Sequence, residues 1–351
     1  MTPKNPDFVL NRPAALIAAV PAVLGFAPQK SLVLVGVDRG QMGAVMRVDL
    51  TDCLGGDLDH LVDVASASHA DAVIAVIVDA EGAACRLCND SYRELSEDLG
   101  ELLADNGVVL LDTHVVDRIA AGGRWHCVDG CGAGGRIDDP SSSPLSVAAV
   151  LDGRRLYGSR AELQEVIAVD LERDPAAIAR TVAELAAAEQ AAPAEDPDVA
   201  RGRTVRRIIA AVDRLAAGAN LTDADLAALA YALTDLIVRD IVYGLAVGEA
   251  AARAEALWVL LARGLPGPWR AEALTLLAYS AYVRGDGPLA GVALEQALRV
   301  DPTHRMAGLL DDALQSGLRP ERIRQLASTG YRLARQLGVE LPPRRPPRAA
   351  G

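Results

Sequence analysis

The chain has 351 residues, about half of them hydrophobic, which is enough for two domains with substantial buried cores. Its net charge is −12, and residues 1–143 carry 21 Asp and Glu against 10 Lys and Arg. This acidic front half repels phosphate backbones, so we expect no nucleic-acid partner. No apolar run is long enough to span a bilayer, so we expect no membrane partner either. Five cysteines, an odd number, argue against a disulfide framework and predict a reducing, cytoplasmic location.

A short apolar run near the N-terminus imitates a signal peptide. It covers only Ala14–Val20 between two prolines, and Asp7 spoils the basic region that a signal peptide requires. We therefore expect a short N-terminal helix that packs on the front domain.

The rest of the front half alternates strands and helices. Apolar runs predict five strands, at 31–37, 43–50, 72–79, 107–116 and 124–128. Helical periodicity predicts two helices between them, at 57–68 and 91–105. Because strand–helix–strand connections favour parallel pairing, we expect an α/β domain over 1–146 with a mixed, mostly parallel sheet. In this sheet strands 43–50, 72–79 and 107–114 run parallel, and strand 31–37 lies antiparallel beside the first.

From about residue 147 onward the pattern is helical. Residues 147–198 form a predicted helical connector, with an Ala/Pro/acidic linker at 186–197. Residues 199–338 predict an all-α domain of seven helices, at 199–217, 222–246, 249–263, 268–284, 288–299, 303–316 and 319–338. The Pro/Arg-rich tail, 339–351, cannot form a helix or strand, and we expect it to be disordered.

One helical hairpin in the back half is similar to a tetratricopeptide repeat. Small and apolar residues occupy the positions at which two antiparallel helices approach closely, around a glycine turn and before a closing proline. The residues concerned are Leu277, Ala278, Gly285, Ala290, Leu294, Ala297 and Pro302. An ordinary helical hairpin of an Ala-rich core explains the same pattern, so both interpretations stay open.

Two cysteine pairs are the first candidates for chemistry. Cys85 and Cys88 follow the strand at 72–79, and Cys127 and Cys131 lie beyond the next strand, with His126 beside them. Such pairs could supply soft ligands to zinc, although the second spacing is one residue longer than a zinc knuckle has. A redox Cys-x-x-Cys opens a helix directly after a strand, and the helix predicted here begins only at residue 91. Buried or incidental thiols are the remaining alternative.

Polar residues near the ends of the predicted parallel strands are the second candidates. Ligand sites of open α/β sheets gather at the carboxyl edge of the strands, so these side chains could form one binding rim. The rim consists of Arg47, Asp49, Asp79, Asp112 and His114. Strand ends are also simply where polarity resumes, which is the alternative explanation.

A further glycine motif, Gly130-x-Gly132-x-x-Gly135, has the spacing of a dinucleotide-binding turn. It fails the structural context, because no helix follows it to receive a pyrophosphate. We expect no nucleotide cofactor and no other cofactor except zinc at the cysteines.

Several stretches resemble an actinobacterial family known only as domain of unknown function 4192. The stretches that carry the resemblance are Pro21–Pro28, Ser31–Val33, Arg47–Asp49, Leu257–Trp258, Ala271–Leu274, Leu276–Ala281, Gly285–Gly287 and Ala293–Ala297. They span nearly the whole chain. The resemblance implies no activity, but it places residues 14–28 within the domain. The second cysteine pair resembles a cysteine-containing stretch of the family, which favours a metal.

These observations predict a protein-interaction or scaffold role, in which the helical half binds a protein partner. The repeat-like hairpin and the missing catalytic signatures point this way and away from an enzyme. One alternative is a small-molecule-binding or enzymatic α/β domain that uses the polar rim. A second alternative is a structural zinc protein. The sequence leaves the oligomeric state open.

Overall fold

A computed structural model of the chain describes residues 12–38, 40–56, 58–67, 70–151, 155–193 and 195–344. They form two compact units. Of the described residues, the α/β unit comprises those up to Leu163 together with 315–317, and the helical unit comprises those of Gln164–Leu314 and of Leu318–Arg344. The predicted connector, 147–198, is therefore divided between the two units.

The α/β unit contains a six-stranded sheet. Its strands are β1 (Ser31–Asp38), β2 (Gln41–Asp49), β3 (Ala72–Val78), β4 (Val109–Val116), β5 (Arg124–Cys127) and β6 (Gly134–Arg136). Its helices are α1 (Pro13–Leu24), α2 (Leu50–Leu54), α3 (Asp59–Ala67), α4 (Arg86–Asp105) and α5 (Pro144–Leu151), and α6 (Arg160–Glu165) contains the boundary between the units. A short 3-10 turn, Pro140–Ser142, precedes α5. The mixed sheet with flanking helices confirms the predicted fold class of this half.

The strands lie in the order β2-β1-β3-β4-β5-β6. β1 is antiparallel to both β2 and β3, and only β3 and β4 form a parallel pair. The prediction of mostly parallel neighbours is corrected here, because β1 lies between β2 and β3. β2, β3 and β4 nevertheless run in the same direction, so their carboxyl ends share one edge of the sheet.

One face of the sheet packs against α2, α3 and α4. Apolar side chains from alternate strand positions, including Leu32, Leu34, Ala75 and Ile77, form this core with buried residues of the three helices. Alternation places the next residues along each strand on the opposite face. We call these two sides the α4 face and the opposite face, because the functional side chains divide between them.

α1 confirms the predicted N-terminal helix. Pro13 occupies its first position, Gly25 ends it with a left-handed φ of 75°, and eight of its 12 residues are buried. The helix packs against α5 and contacts β2. The segment that imitates a signal peptide is thus part of the core of the α/β unit.

The last two strands form a short hairpin at the edge of the sheet. β5 pairs antiparallel with β4 and confirms the predicted return strand. β6 was missed because Gly134, Gly135 and Arg136 are fully exposed and show no apolar alternation. The turn between them contains Asp129 and Cys131.

The helical unit confirms the predicted all-α half. Its helices are α7 (Pro175–Ala191), α8 (Pro197–Ala216), α9 (Asp223–Ala232), α10 (Leu236–Val242), α11 (Ala251–Gly264), α12 (Gly267–Arg284), α13 (Gly287–Val300), α14 (Arg305–Gln315), α15 (Pro320–Ile323) and α16 (Gln325–Gln336). The single helix predicted at 222–246 is three pieces, α9, α10 and a 3-10 turn, because Asp235 caps a new helix by accepting the N–H groups of Ile237 and Val238.

The predicted repeat-like hairpin is formed by α12 and α13. Gly285 ends α12 with a left-handed φ of 86°, and Asp286 caps α13 by accepting the N–H of Leu289. The small and apolar positions of the hairpin are buried in the core, and Pro302 follows the end of α13. The hairpin therefore supplies the interior of the unit and presents no groove through these residues. Its likeness to a tetratricopeptide repeat stays a prediction.

Part of the predicted disordered tail is ordered. The Tyr331 hydroxyl donates to the carbonyl of Pro342 at 2.6 Å, and the Glu249 N–H donates to the carbonyl of Pro343 at 3.1 Å. The Arg344 guanidinium lies 4.1 Å from the ring centre of Tyr331. Prolines lack a donor but keep their carbonyl acceptors, so this segment fastens to the helices without forming a helix or a strand of its own. Residues 345–351 lie outside the described part of the tail.

Across the described ranges, no helix combines the length and the apolar character of a membrane span.

Candidate functional site

The first cysteine pair lies where the parallel strands of the sheet end. β3 ends at Val78, a short loop follows, and Cys85 is the N-cap of α4, a helix of 20 residues. α4 begins at Arg86, five residues before the predicted helix. Its first turn carries Leu87 with 78 % of its surface exposed, so apolar periodicity gives no sign of it. The Cys-x-x-Cys therefore does open a helix after a strand, contrary to the sequence interpretation.

The start of the helix makes the two thiols unequal. Cys85 makes no side-chain capping hydrogen bond, but its pKa is lowered, first by the nearby backbone N–H and thiol of Cys88 and further by the backbone N–H of Leu87, against a smaller opposing effect of burial. The pKa of Cys88 is raised by its hydrogen bond to Cys85, by burial and by the negative charges of Cys85 and Asp79. One thiol is thus prepared to ionise while its neighbour keeps its proton.

A buried carboxylate lies next to this pair. Asp79 is 8 % exposed, and its Oδ2 accepts the Tyr92 hydroxyl at 2.6 Å. Its Oδ1 accepts the N–H of Glu81 at 3.0 Å. Burial raises the pKa of Asp79, but the hydrogen bonds from Tyr92, Glu81 and Gly82 together outweigh it and the pKa is lowered. Asp79 is therefore a fixed negative charge beside the thiols, and the pKa of Tyr92 is raised by burial and by that hydrogen bond.

Gly82 lets the loop close over this carboxylate. A Cβ at Gly82 would collide with the Tyr92 hydroxyl and would lie 2.6 Å from Asp79 Oδ2. Only glycine allows the backbone to approach so closely. The loop between β3 and α4 is thus shaped around the Asp79–Tyr92 pair.

Asn89 fastens the same loop to the sheet. Its side-chain amide donates to the carbonyls of Cys85 at 2.7 Å, Ala83 at 3.1 Å and Gly82 at 3.3 Å. Its Oδ1 lies 2.7 Å from His126 Nε2, which must donate because Oδ1 can only accept. Burial lowers the pKa of His126, which favours the neutral ring. His126 is therefore a support of the loop.

The second cysteine pair forms a separate group. The donor atoms of Cys127, Asp129 and Cys131 all lie within 4.8 Å of one another. Cys85 and Cys88 are not part of this group, and His126 contacts α4 while Cys127 lies on the opposite face, 4.0 Å from Asp112 Oδ1. The structure brings together two of the five predicted ligands and adds Asp129. The alternating spacing Cys-x-Asp-x-Cys is the sequence signal that identifies this group.

The five residues of the predicted rim do not meet. Arg47 pairs with Asp49 and donates through Nε to Ser31 Oγ at 2.8 Å, on the opposite face. Asp79 faces α4 through Tyr92. Asp112 and His114 do not lie at the end of β4, because the strand continues to Val116.

The register of β4 shows where the last two rim residues point. Asp112 lies across from Ile74 and His114 across from Val76. Thr113 between them contacts Ser96 of α4 at 2.7 Å, so both neighbours point to the opposite face. Functional residues that the sequence interpretation missed are Tyr92, Asn89 and Gly82, of which Tyr92 is detectable as the residue two helical turns after Cys85.

Comparison with known proteins gives one match. The family model described as "Domain of unknown function (DUF4192)" matches residues 13–321, which is most of the chain and includes both cysteine pairs. No curated protein and no solved structure matches the chain significantly. The match confirms the resemblance found in the sequence.

Proposed function

The chain belongs to the family described as a domain of unknown function, DUF4192, and we propose that its α/β unit carries out thiol–disulfide exchange at Cys85 and Cys88. The observation that supports this is the placement of Cys85 as the N-cap residue of α4, at the N-terminus of a long helix that follows a strand, where the pKa of Cys85 is lowered. Thiolates are the reactive form in disulfide exchange. Both thiols are half-buried, so a substrate disulfide can reach them.

The proposed reaction starts at Cys85. Its thiolate attacks one sulfur of a substrate disulfide, a mixed disulfide forms, and the first substrate thiolate leaves. Cys88 then loses its proton to solvent and attacks the Cys85 sulfur, which releases the second substrate thiolate and forms the Cys85–Cys88 disulfide. The substrate gains two electrons and the protein loses two, so the exchange balances.

The unequal thiols set the order of these steps. The hydrogen bond to Cys85 is the largest effect that holds the Cys88 proton, and the Cys85 charge adds to it. Both disappear once Cys85 is in the mixed disulfide, so the pKa of Cys88 falls when its thiolate is needed. Asp79 limits this fall, because its negative charge remains nearby.

Oxidised glutathione tests the proposal on the reduced, full-length protein. We expect a Cys85–Cys88 disulfide and two reduced glutathione molecules, measured by acid quench and mass spectrometry. In Cys85→Ser, the remaining Cys88 thiol should react no faster than a free thiol in solution. Cys88→Ser should trap glutathione on Cys85. The matched control is Cys53→Ser, a buried thiol that should leave the reaction unchanged. Retained reaction in Cys85→Ser, or trapping at another cysteine, refutes the proposal.

A cytoplasmic location is part of the same proposal. None of the five cysteines forms a disulfide in the structure, and a reducing compartment keeps such a dithiol ready to donate electrons.

The interaction role of the helical unit is a second proposal, supported by one exposed apolar loop. Leu171 is 91 % exposed and Val169 is 51 % exposed, and both line a cavity of about 380 Å³ with Leu265, Pro266 and Val300. Exposed apolar side chains at a cavity are typical of a surface that binds another protein.

A charge placed in this loop tests the second proposal. Leu171→Asp in the full-length chain should abolish capture of a specific partner. Val199→Asp, at a residue of α8 that is 59 % exposed and outside the cavity, should not. Equal recovery with both variants contradicts a partner site at this loop. The full-length chain is needed because a fragment that starts at residue 199 would cut through the helical unit.

A further inference from the structure

The turn between β5 and β6 gathers three metal-binding side chains. Cys127 ends β5, and Asp129 and Cys131 follow at alternate positions, with their donor atoms within 4.8 Å of one another. Gly130 and Gly132 both adopt left-handed φ values, 73° and 85°, which curl the turn around these side chains. The Cys131 N–H donates to Asp129 Oδ1 at 2.9 Å and fixes the carboxylate in the turn.

A buried histidine lies directly beside this group. His114 of β4 is the cross-strand partner of Cys127, so the two side chains share the opposite face, with Cβ atoms roughly 4.5–5.5 Å apart. His114 is 3 % exposed, and its Nδ1 has no hydrogen-bond partner within the described part of the chain. A buried polar atom without a partner is costly, unless it serves a ligand. This nitrogen is independent of the turn geometry. It is not among the donor atoms that lie within 4.8 Å of one another, so it would complete the set only after these side chains shift toward one another.

We propose that Cys127, Asp129, Cys131 and His114 bind one zinc ion. Zinc accepts thiolate, carboxylate and imidazole ligands in tetrahedral sites, and thiolate sulfur selects zinc over hard cations. With zinc–sulfur bonds of about 2.3 Å, the two sulfurs of such a site lie about 3.8 Å apart, inside the limit within which the three turn donors gather. The ligands come from β4, the end of β5 and the turn before β6.

The site fastens the weakest part of the sheet. β6 has three exposed residues and, within the described part of the sheet, pairs with β5 alone. A short exposed hairpin of this kind buries little apolar surface and is only marginally stable by itself. A metal that links its turn to β4 supplies the stabilisation that a hydrophobic core would otherwise give. The proposed zinc site is separate from the exchange site, because Cys85 and Cys88 are outside the donor group and belong to α4.

Zinc titration of the metal-free, full-length protein tests the site. We expect one zinc ion per chain in competition with a chromophoric chelator. Cobalt(II) should give the thiolate-to-metal charge-transfer band of a tetrahedral sulfur site. Cys131→Ser and Asp129→Asn should each weaken zinc binding by at least about 10-fold, and both positions are exposed, so folding is not at risk. His114→Gln should weaken binding while the charge-transfer band remains.

The matched control is the double variant Cys85→Ser/Cys88→Ser, which should keep one zinc ion per chain. Loss of zinc in this control overturns the proposal and assigns the metal to the exchange site. Less than stoichiometric binding, unchanged affinity in Cys131→Ser, or a Cys127–Cys131 disulfide in the freshly isolated protein overturns it as well. None of these results depends on exchange activity, so the two proposals fail separately.

Discussion

The two cysteine pairs have nearly the same spacing but lie in opposite chemical environments. Cys85 is the N-cap residue of a long helix, and its pKa is lowered, chiefly by the backbone N–H of Cys88. Cys127 lies in a strand beside a carboxylate, and burial, together with its hydrogen bond to Asp129, raises its pKa to about 12. The comparison shows that the local backbone, more than the spacing of the cysteines, decides which chemistry each pair can perform.

The largest expected effect is a fast alkylation of Cys85, the reactive member of the first pair. At neutral pH, iodoacetamide should modify Cys85 at least about 100-fold faster than Cys53, which is 2 % exposed, because Cys85 is accessible and its thiolate is stabilised. Cys88 should be alkylated at a rate between those of Cys85 and Cys53. Peptide mass spectrometry over a time course measures all three rates in one sample of metal-free protein. If Cys131, an exposed thiol in the turn, reacts as fast as Cys85, the distinction between the pairs is lost.

The next largest effect is expected at Gly82. Gly82→Ala should destabilise the α/β unit by about 3 kcal/mol, because the new methyl group collides with the Tyr92 hydroxyl and presses on Asp79. Urea unfolding measures the loss, and glutathione exchange should slow with it. Zinc binding by the turn should stay stoichiometric in the folded fraction, since Gly82 contacts none of its ligands.

A glycine within α4, the helix that follows the Gly82 loop, provides the control for this variant. A Cβ at Gly100 in α4 meets only Leu110 at 3.6 Å, an ordinary contact. Gly100→Ala should therefore stabilise the protein by about 0.5–1 kcal/mol through helix propensity. Equal losses at both positions would show that the loop at Gly82 is not shaped around the carboxylate.

Tyr92→Phe should have a smaller effect, of about 2 kcal/mol, because it removes one hydrogen bond to a buried carboxylate. The folded-state pKa of Asp79 lies below its ordinary value of 3.8, so its stabilisation is fully present above that pH. It is lost as the pH falls below 3.8 through the folded-state pKa. Tyr92→Phe should reduce this acid dependence, measured as urea midpoints at a series of pH values.

Tyr243→Phe is the matched control for that variant. Tyr243 lies in the helical unit, is 4 % exposed, and packs edge-on against the Tyr279 ring. It is not among the hydrogen-bond partners of Asp79, so the acid dependence should be unchanged. If both variants change the pH dependence of the urea midpoint equally, then the acid dependence does not come from Asp79.

Much of the fold was predictable because burial leaves a clear pattern. The apolar runs of β1 and β3 and the Ala/Leu periodicity of α12 and α13 identified their elements nearly to the residue. Strand order was less accessible. An apolar run shows that β1 is buried, but it does not show that β3 pairs with β1 and leaves β2 at the edge. Pairing depends on contacts between distant segments, which no local pattern records.

The candidate site was less predictable for a different reason. Asn89 holds the start of α4 by donating to the carbonyl of Cys85, and the exposed Leu87 breaks the amphipathic pattern that otherwise locates helices. The turn after β5 brings Asp129 to the cysteines, and the pairing of β4 with β5 places His114 across from Cys127. Hydrophobic periodicity does not show which donor groups a turn or a strand register brings together. The spacing of the cysteines alone therefore placed all four in one candidate zinc site, whereas the structure separates the two pairs.

The smallest expected effect, and the finest test of the difference between the pairs, is at Asn89. Asn89→Ala removes three bonds to loop carbonyls that water can partly replace, so we expect a loss of only about 1 kcal/mol in urea unfolding. Alkylation of Cys85 should change, because its backbone is no longer held, while zinc binding at the turn should not. Asn106→Ala is the control: this exposed residue donates to Leu102 at the other end of α4, and its loss should fall within about 0.5 kcal/mol of zero. If Asn89→Ala alters zinc binding instead, then the two pairs are coupled through His126, whose Nε2 reaches Asn89 and whose neighbour in β5 is Cys127.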